Sequence, residues 1–375
     1  MQITGIICEY NPLHRGHQKQ MTMLRAQSPE SGIVCLMSGN YVQRGHPAIV
    51  DKSLRAKAAV LSGADLVLEM PITASLSSAE GFAKTGVSIL SGFCDSLCFG
   101  AETGTAETLT ETARKLLSPA FSQAIRQHLD KGLSFPAARQ AALGDDLLTR
   151  PNDILAVEYC KAILAQNSSM KPIVIRRNGD YHDTVADSEN PSATAIRQLM
   201  LDSGAWLDYI PDEARGAFQN APIHTIQQGE KAILARLRSM TESDFENTPH
   251  GSEGLWRKFM HAVRNCATVS DIIDSTKSKR YTRTRLDRML MCAYLGITRE
   301  MMEFPIPYIR VLAFNDRGRE ILNSARNSGN FLNAGQTADG WYQALEDRCG
   351  DLYGLFSETP ELPDGEHRRR VVYLP

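Results

Sequence analysis

Short apolar runs at Ile3–Cys8, Gly32–Met37, Asp65–Met70 and Asp95–Gly100 recur along the first hundred residues at a nearly constant interval. Helix-like stretches fill the gaps at His17–Arg25, Lys52–Leu61 and Gly81–Leu90, the last introduced by the capping pattern Ser77-Ser78-Ala79-Glu80. Runs that are apolar on both faces and alternate with helices demand a parallel sheet covered on both sides. A fifth run, Pro172–Arg176, follows only after a long helical stretch of about residues 105–165. That stretch is too long for one crossover helix and predicts a helical insertion over the sheet. A helix signal at Ser192–Met200 closes the unit.

After Pro211 the pattern changes. Ile223–Ser239, Glu253–Cys266, Val269–Ser275 and Thr282–Leu295 carry helical periodicity without strand-like runs between them. The tail combines an apolar run at Tyr308–Phe314 with helices near Glu320–Ala325 and Trp341–Glu346. The expected fold class is α/β: a Rossmann-like parallel sheet with a helical insertion over residues 1–215, then a mainly α-helical domain over 216–375.

Composition limits what such a chain can be. With 375 residues, 42% of them hydrophobic, it can bury more than one core. No apolar run approaches a membrane span, and the N-terminus lacks the basic start of a signal peptide. The eight cysteines are scattered, many within apolar runs, as expected of reduced thiols in a cytoplasmic protein. No membrane and no obligate protein partner is expected. The net charge of −2 means that any nucleic-acid partner is held by a local patch.

The most informative stretch is Gly5-Ile6-Ile7-Cys8-Glu9-Tyr10-Asn11-Pro12-Leu13-His14-Arg15-Gly16-His17. A buried strand ends, Asn11-Pro12 turns the chain, and a helix starts. In a parallel sheet, ligands sit beyond the carboxyl ends of the strands, and a helix N-terminus there offers free N–H groups to a phosphate. Two histidines flanking Gly16 can stabilise charge on a transferring phosphoryl group, while the glycine lets the backbone approach closely. Surface histidines at a helix start are the plain alternative, but strand, turn and helix all flank this pair as a site requires. Zinc ligation needs ligands that no spaced cluster supplies, so no metal site is expected.

This is the H-x-G-H signature of the nucleotidyltransferase superfamily that shares its fold with class I aminoacyl-tRNA synthetases. The likeness extends through Ser38-Gly39-Asn40-Tyr41-Val42-Gln43-Arg44-Gly45-His46-Pro47-Ala48 and Gly63-Ala64-Asp65-Leu66-Val67-Leu68-Glu69-Met70-Pro71. It continues in Phe99-Gly100, Pro151-Asn152-Asp153-Ile154-Leu155, Lys279-Arg280-Tyr281-Thr282-Arg283-Thr284-Arg285 and Tyr308–Asn315. Together these segments resemble the bacterial tRNA(Met) cytidine acetate ligase family, from residue 3 to about 320.

The resemblance implies a reaction of ATP and acetate to acetyl-adenylate and pyrophosphate. The acetyl group then passes to N4 of the wobble cytidine of elongator tRNA(Met). Magnesium is expected with the ATP. By the same resemblance, His14 and His17 are catalytic. ATP contacts fall on Ile7, Cys8, Glu9, Tyr10, Asn11, Pro12, Leu13, His14, Arg15, Gly16, His17, Gln18, Lys19 and Gln20, and on Gly100, Asn152 and one of the pair Arg176 and Arg177. An amide at Asn152 can donate and accept; a helix N-cap is its alternative role.

Ser192-Ala193-Thr194-Ala195-Ile196-Arg197 resembles the superfamily's second phosphate motif, with Ala193 standing where that motif has a serine. Ser192, Thr194 and Arg197 are therefore candidate phosphate ligands, or parts of an ordinary capped helix. Arg44, Lys52 and Arg55 follow the second strand and are candidates to cover phosphates or RNA. The RNA signal proper is Lys277 to Arg288, with Lys277, Lys279, Arg280, Arg283 and Arg285 as candidate phosphate contacts and Tyr281 able to stack on a base. This patch is expected to wrap a helix start. Arg368-Arg369-Arg370 is a weaker second candidate. Two other functions fit the loop: an adenylyltransferase acting on a phosphorylated small molecule, or a non-catalytic nucleotide- or RNA-binding protein.

Overall fold

Strand β1 (Ile3–Cys8) lies at the centre of one sheet, between β2 (Gly32–Ser38) and β6 (Ser96–Ala101). In this computed structural model, residues 1–133, 135–144, 147–176, 192–202, 204–278 and 280–375 are described. The other strands are β3 (Tyr41–Val42), β4 (His46–Pro47), β5 (Leu66–Met70), β7 (Lys171–Arg176), β8 (Ile309–Phe314), β9 (Phe331–Asn333) and β10 (Val372–Tyr373). β1, β2, β5, β6 and β7 run parallel in the spatial order β5-β2-β1-β6-β7. β3 and β4 form a separate antiparallel hairpin.

Alternate residues of β2 explain why the sheet needs a cover on both sides. Val34 and Leu36 enter the core on one face, Ile33, Cys35 and Met37 the core on the other, and all five are fully buried. The helices Ala79–Leu90 and Pro151–Ala165 pack together over the first face. The expected insertion lies between β6 and β7, as helices Ala106–Leu116, Pro119–Asp130 and Phe135–Leu143 ahead of Pro151–Ala165. Ser78, from the predicted capping pattern, caps Ala79–Leu90 by accepting from the Gly81 N–H at 3.3 Å.

Beyond residue 215 the chain is helical up to about 305, but it then returns to the sheet. β8 pairs antiparallel with β5, and β9 and β10 both pair with β8. The region expected to be a mainly helical domain thus supplies three strands of the main sheet. Val311, Leu312 and Ala313 are buried between both cores, and Asn315 locks the strand's end, its Nδ2 donating to Asp65 Oδ1 at 3.0 Å. A single six-residue apolar run far along the chain does not by its own periodicity announce which sheet it joins.

The third core, of the helical region, includes Tyr41 and Leu76 from the N-terminal half. Tyr41 Oη donates to Cys349 O at 3.0 Å, and Tyr353 Oη donates to Ala48 O at 2.8 Å. Gly45 has φ 83°, and a side chain there would collide with the backbone of Asp287 and Arg288. The β3–β4 hairpin is therefore pressed onto the helix Arg283–Leu295 at a point only glycine fits. All eight cysteines are free thiols, and among the described residues no helix is long and apolar enough to cross a membrane.

Candidate active site

The strand order reverses between β1 and β6, so the crevice beyond their carboxyl ends is the sheet's switch point. The loop leaving β1 fills one side of it. Tyr10 takes φ 46° and the Asn11–Pro12 peptide is cis. The loop is anchored by Asn11, whose Oδ1 accepts from the Ile49 N–H at 2.8 Å. The helix Arg15–Gln27 then runs alongside β6, with Gln20 Nε2 donating to Cys98 Sγ at 3.3 Å.

His14 and His17 close the helix start as a reciprocal cap. His14 Nδ1 accepts from the Gly16 N–H at 3.1 Å, and His17 Nδ1 accepts from the His14 N–H at 3.3 Å. The rings stack with centroids 3.7 Å apart, and Tyr10 packs on His17 at 4.8 Å. Because both Nδ1 atoms accept from backbone, each ring carries its proton on Nε2. The pair is thus a set of oriented Nε2–H donors at the positive end of a helix, an arrangement suited to phosphoryl oxygens. A side chain at Gly16 would press on the His14 ring at 3.0 Å, which explains the glycine.

Arg197 does reach this loop, steadied by Thr194. Arg197 Nη1 donates to Asn11 O at 2.7 Å, and its Nη2 donates to Thr194 Oγ1 at 3.1 Å. Ser192 is the N-cap of helix Ala193–Leu201, accepting from the Ala195 N–H at 3.0 Å. Gly100 is the penultimate residue of β6, and Arg176, exposed, lies at the end of β7 with Ala101 as its register partner. Arg177 lies outside the described residues.

Asn152 is not an N-cap, since the cap position of its helix is Arg150. Instead its Nδ2 donates to Glu102 Oε1 at 2.6 Å. The adjacent Asp153, fully buried, accepts from the backbone N–H of Glu102 at 2.8 Å and from Thr103 Oγ1 at 2.5 Å. Pro151-Asn152-Asp153 therefore grips the turn that leaves β6. Sequence reasoning missed Glu102; its only signal was an acid placed just past a strand's carboxyl end.

Lys52 and Arg55 are not available to phosphates or RNA. Arg55 is fully buried and donates to four carbonyls: Val50 at 2.8 Å, Glu9 at 2.6 Å, Ser38 at 3.1 Å, and Gly39. It ties the ends of β1 and β2 together. Lys52 Nζ lies 2.8 Å from both Glu69 and Glu366. Burial works against its charge, but Glu366 and Glu69 hold its pKa above the ordinary lysine value. Arg369 likewise pairs with Asp51 at 2.6 Å and Glu366 at 3.2 Å, so it is a structural residue.

The basic segment wraps a helix start, as expected, with Thr282 as N-cap. Its tyrosine does not serve as a stacking platform: Tyr281 is 9% exposed and its Oη donates to Glu253 O at 3.1 Å. Arg283 pairs with Asp287 at 2.9 Å, Arg285 bonds His250 O and Ser252 Oγ, and Arg280 pairs with Glu253 at 3.2 Å. Among the described residues of the segment, Lys277, Arg280 and Arg283 are the exposed cations, Arg283 being held by Asp287; Lys279 lies outside the described residues.

A histidine-capped helix at the switch point of a parallel sheet defines a nucleotidyl transferase of the HIGH class, and the family model described as HIGH Nucleotidyl Transferase matches residues 1–360. The tRNA(Met) cytidine acetate ligase of Clostridium novyi is 37% identical over 87% of this chain and 88% of its own. That of Kosmotoga olearia is 32% identical over the whole of both chains. The crystal structure of Thermotoga maritima TmcAL in its apo form superposes over the whole of both chains with TM-score 0.91 at 28% identity. The form bound with alpha-thio ATP gives 0.89 at 27%, again over both whole chains. The chain belongs to the tRNA(Met) cytidine acetate ligase family.

Proposed function

We propose that this enzyme joins acetate to ATP and passes the acetyl group to N4 of the wobble cytidine of elongator tRNA(Met). The carrying observation is the His14/His17 cap at the β1–β6 switch point, in a chain akin to ligases of that name and to a structure holding an ATP analogue. An acetate oxygen attacks the α-phosphorus, the bond to the bridging oxygen breaks, and pyrophosphate leaves. The cytidine amine then attacks the acetyl carbon, AMP leaves, and the amine gives up a proton.

In this reading the loop 7–20 holds the nucleotide. The Nε2–H groups of His14 and His17 and the helix N-terminus bear the charge that builds on the phosphates. Gly100, Asn152 and Arg176 or Arg177 complete the ATP site, and Arg197 and Thr194 brace the loop beside the phosphates. Magnesium enters with the triphosphate as part of the substrate. The surface near Lys277, Lys279, Arg280, Arg283 and Arg285 receives the tRNA.

Incubation with ATP, labelled acetate and bulk bacterial tRNA, followed by nucleoside mass spectrometry, tests the reading. Labelled N4-acetylcytidine that requires both ATP and acetate supports it. No labelled nucleoside from active protein and unmodified tRNA sinks it and redirects the search to adenylylated phosphometabolites.

A further inference from the structure

Glu102 is 7% exposed, and its two carboxylate oxygens have different fates. Oε1 accepts from Asn152 at 2.6 Å, whereas Oε2 is buried with no hydrogen-bond donor among the described residues. A carboxylate is acceptor-only, so a buried oxygen without a donor is an unmet demand for an N–H or O–H group. The fold holds it rigidly in that state: Asp153 fixes the Glu102 and Thr103 backbone N–H groups, at 2.8 and 3.1 Å. Such over-determined placement suits a residue built to meet a ligand.

Its location says which donor. Glu102 directly follows β6, the strand that pairs with β1 through Ile6↔Cys98 at the switch point. The histidine cap stands at the end of β1, on the other side of the same crevice. Adjacent strands lie about 4.8 Å apart, the scale that separates an α-phosphate from the sugar it esterifies. With the α-phosphate at the His14/His17 cap, the group facing the end of β6 is the ribose. Carboxylates accept from ribose hydroxyls in other nucleotide sites on parallel sheets.

We propose that Glu102 is a specificity residue that accepts a ribose hydroxyl of the bound nucleotide through Oε2, with Asn152 orienting the carboxylate. This assignment rests on the nucleotide reading of the site, and not on the later acetyl transfer.

The test is calorimetric binding of ATP, 2′-deoxy-ATP, 3′-deoxy-ATP and inosine triphosphate to the full chain and to Glu102→Ala and Glu102→Gln. The unaltered protein is expected to bind one of the deoxy analogues about tenfold or more weakly than ATP, the loss of one hydrogen bond to a charged group. Glu102→Ala is expected to bind ATP and both deoxy analogues within about twofold of each other, a ratio that a general loss of stability does not alter. If the alanine variant does not fold, a reduced ratio in the isosteric Glu102→Gln serves the same purpose. Equal binding of all three adenine nucleotides by the unaltered protein overturns the assignment, as does an unchanged ratio in the variants. A variant that loses the preference for ATP over inosine triphosphate instead also overturns it, because the carboxylate then reads the base amine. No ATP binding by the unaltered protein overturns the nucleotide site and this assignment with it. ATP binding with the expected ratios but no acetylcytidine supports the assignment while sinking the acetyl transfer.

Discussion

Arg197 donates to the backbone carbonyl of Asn11 at 2.7 Å, joining a helix late in the α/β unit to the loop that carries both histidines. The bond fixes the loop through its backbone, and the second arm of the guanidinium is steadied by Thr194. Lysine offers no such fork. Arg197→Lys is expected to lower kcat/KM for acetate-dependent ATP–pyrophosphate exchange about tenfold or more, because small displacements of aligned groups cost heavily. Thermal melting should change little. Full exchange activity in the variant would remove the loop clamp from the mechanism.

His14 has two roles, which one substitution separates. Asparagine is a good N-cap and can accept from the Gly16 N–H as His14 Nδ1 does, but it lacks the Nε2–H donor. His14→Asn should stay within about 1 kcal/mol of the parent stability while adenylate formation falls about 100-fold or more. Denaturation curves and pyrophosphate release check the two halves separately. tRNA retention on filters should be unaffected.

Arg55 is a structural cation. Its loss leaves the carbonyls of Glu9, Ser38, Gly39 and Val50 without their donor in a fully buried place. Arg55→Ala is expected to cost about 3 kcal/mol or more, read as a lowered urea midpoint. A midpoint at the parental value would show that water replaces the guanidinium.

Stability should fall in mild acid through His250. Burial, reinforced by Arg288, pushes its pKa down to about 4, while its Nε2 lies 2.8 Å from Leu76 O. The folded value lies below the ordinary histidine value, so the unfolded chain takes up the proton first as pH falls. The loss begins near pH 6.5 and is complete near pH 4. Between pH 7 and 5 it amounts to about 2 kcal/mol. His250→Asn, which tolerates the residue's φ of 66°, should remove that part of the pH slope in urea titrations.

The tRNA surface is expected to show itself through salt. Replacing Lys277 and Arg280 with serine should weaken tRNA binding and reduce the log–log salt slope by about one per lost contact. Arg285→Ser should act mainly on stability, since this arginine supports the His250–Ser252 turn. Slopes from filter binding at several ionic strengths distinguish the two.

Strand runs and helix periods were legible where the apolar pattern is local: β1, β2, β5 and β6, buried on both faces, the edge strand β7, and the helices after Pro211 lie where the apolar patterns place them. So was the histidine loop, because a strand end, a turn and a helix start are contiguous in the chain. Lys52 and Arg55 were misread as ligand contacts. A cation near a strand's carboxyl edge has the same local signature whether it faces solvent or is enclosed, and its enclosure depends on Glu366 or on carbonyls far along the chain. Tyr281 was misread for the same reason, its ring being covered by a core assembled from both halves.

The amino-acid sequence by itself determined the parallel sheet, the loop that caps a helix with His14 and His17, and the family. Each rests on residues close together in the chain, where spacing and steric rules act directly. The tertiary structure alone decided that β8 to β10 return to the sheet, that Arg197 clamps Asn11, and that Glu102 is enclosed with one oxygen unmet among the described residues. Those are facts of burial and long-range hydrogen bonding, set by which distant surfaces exclude water from one another.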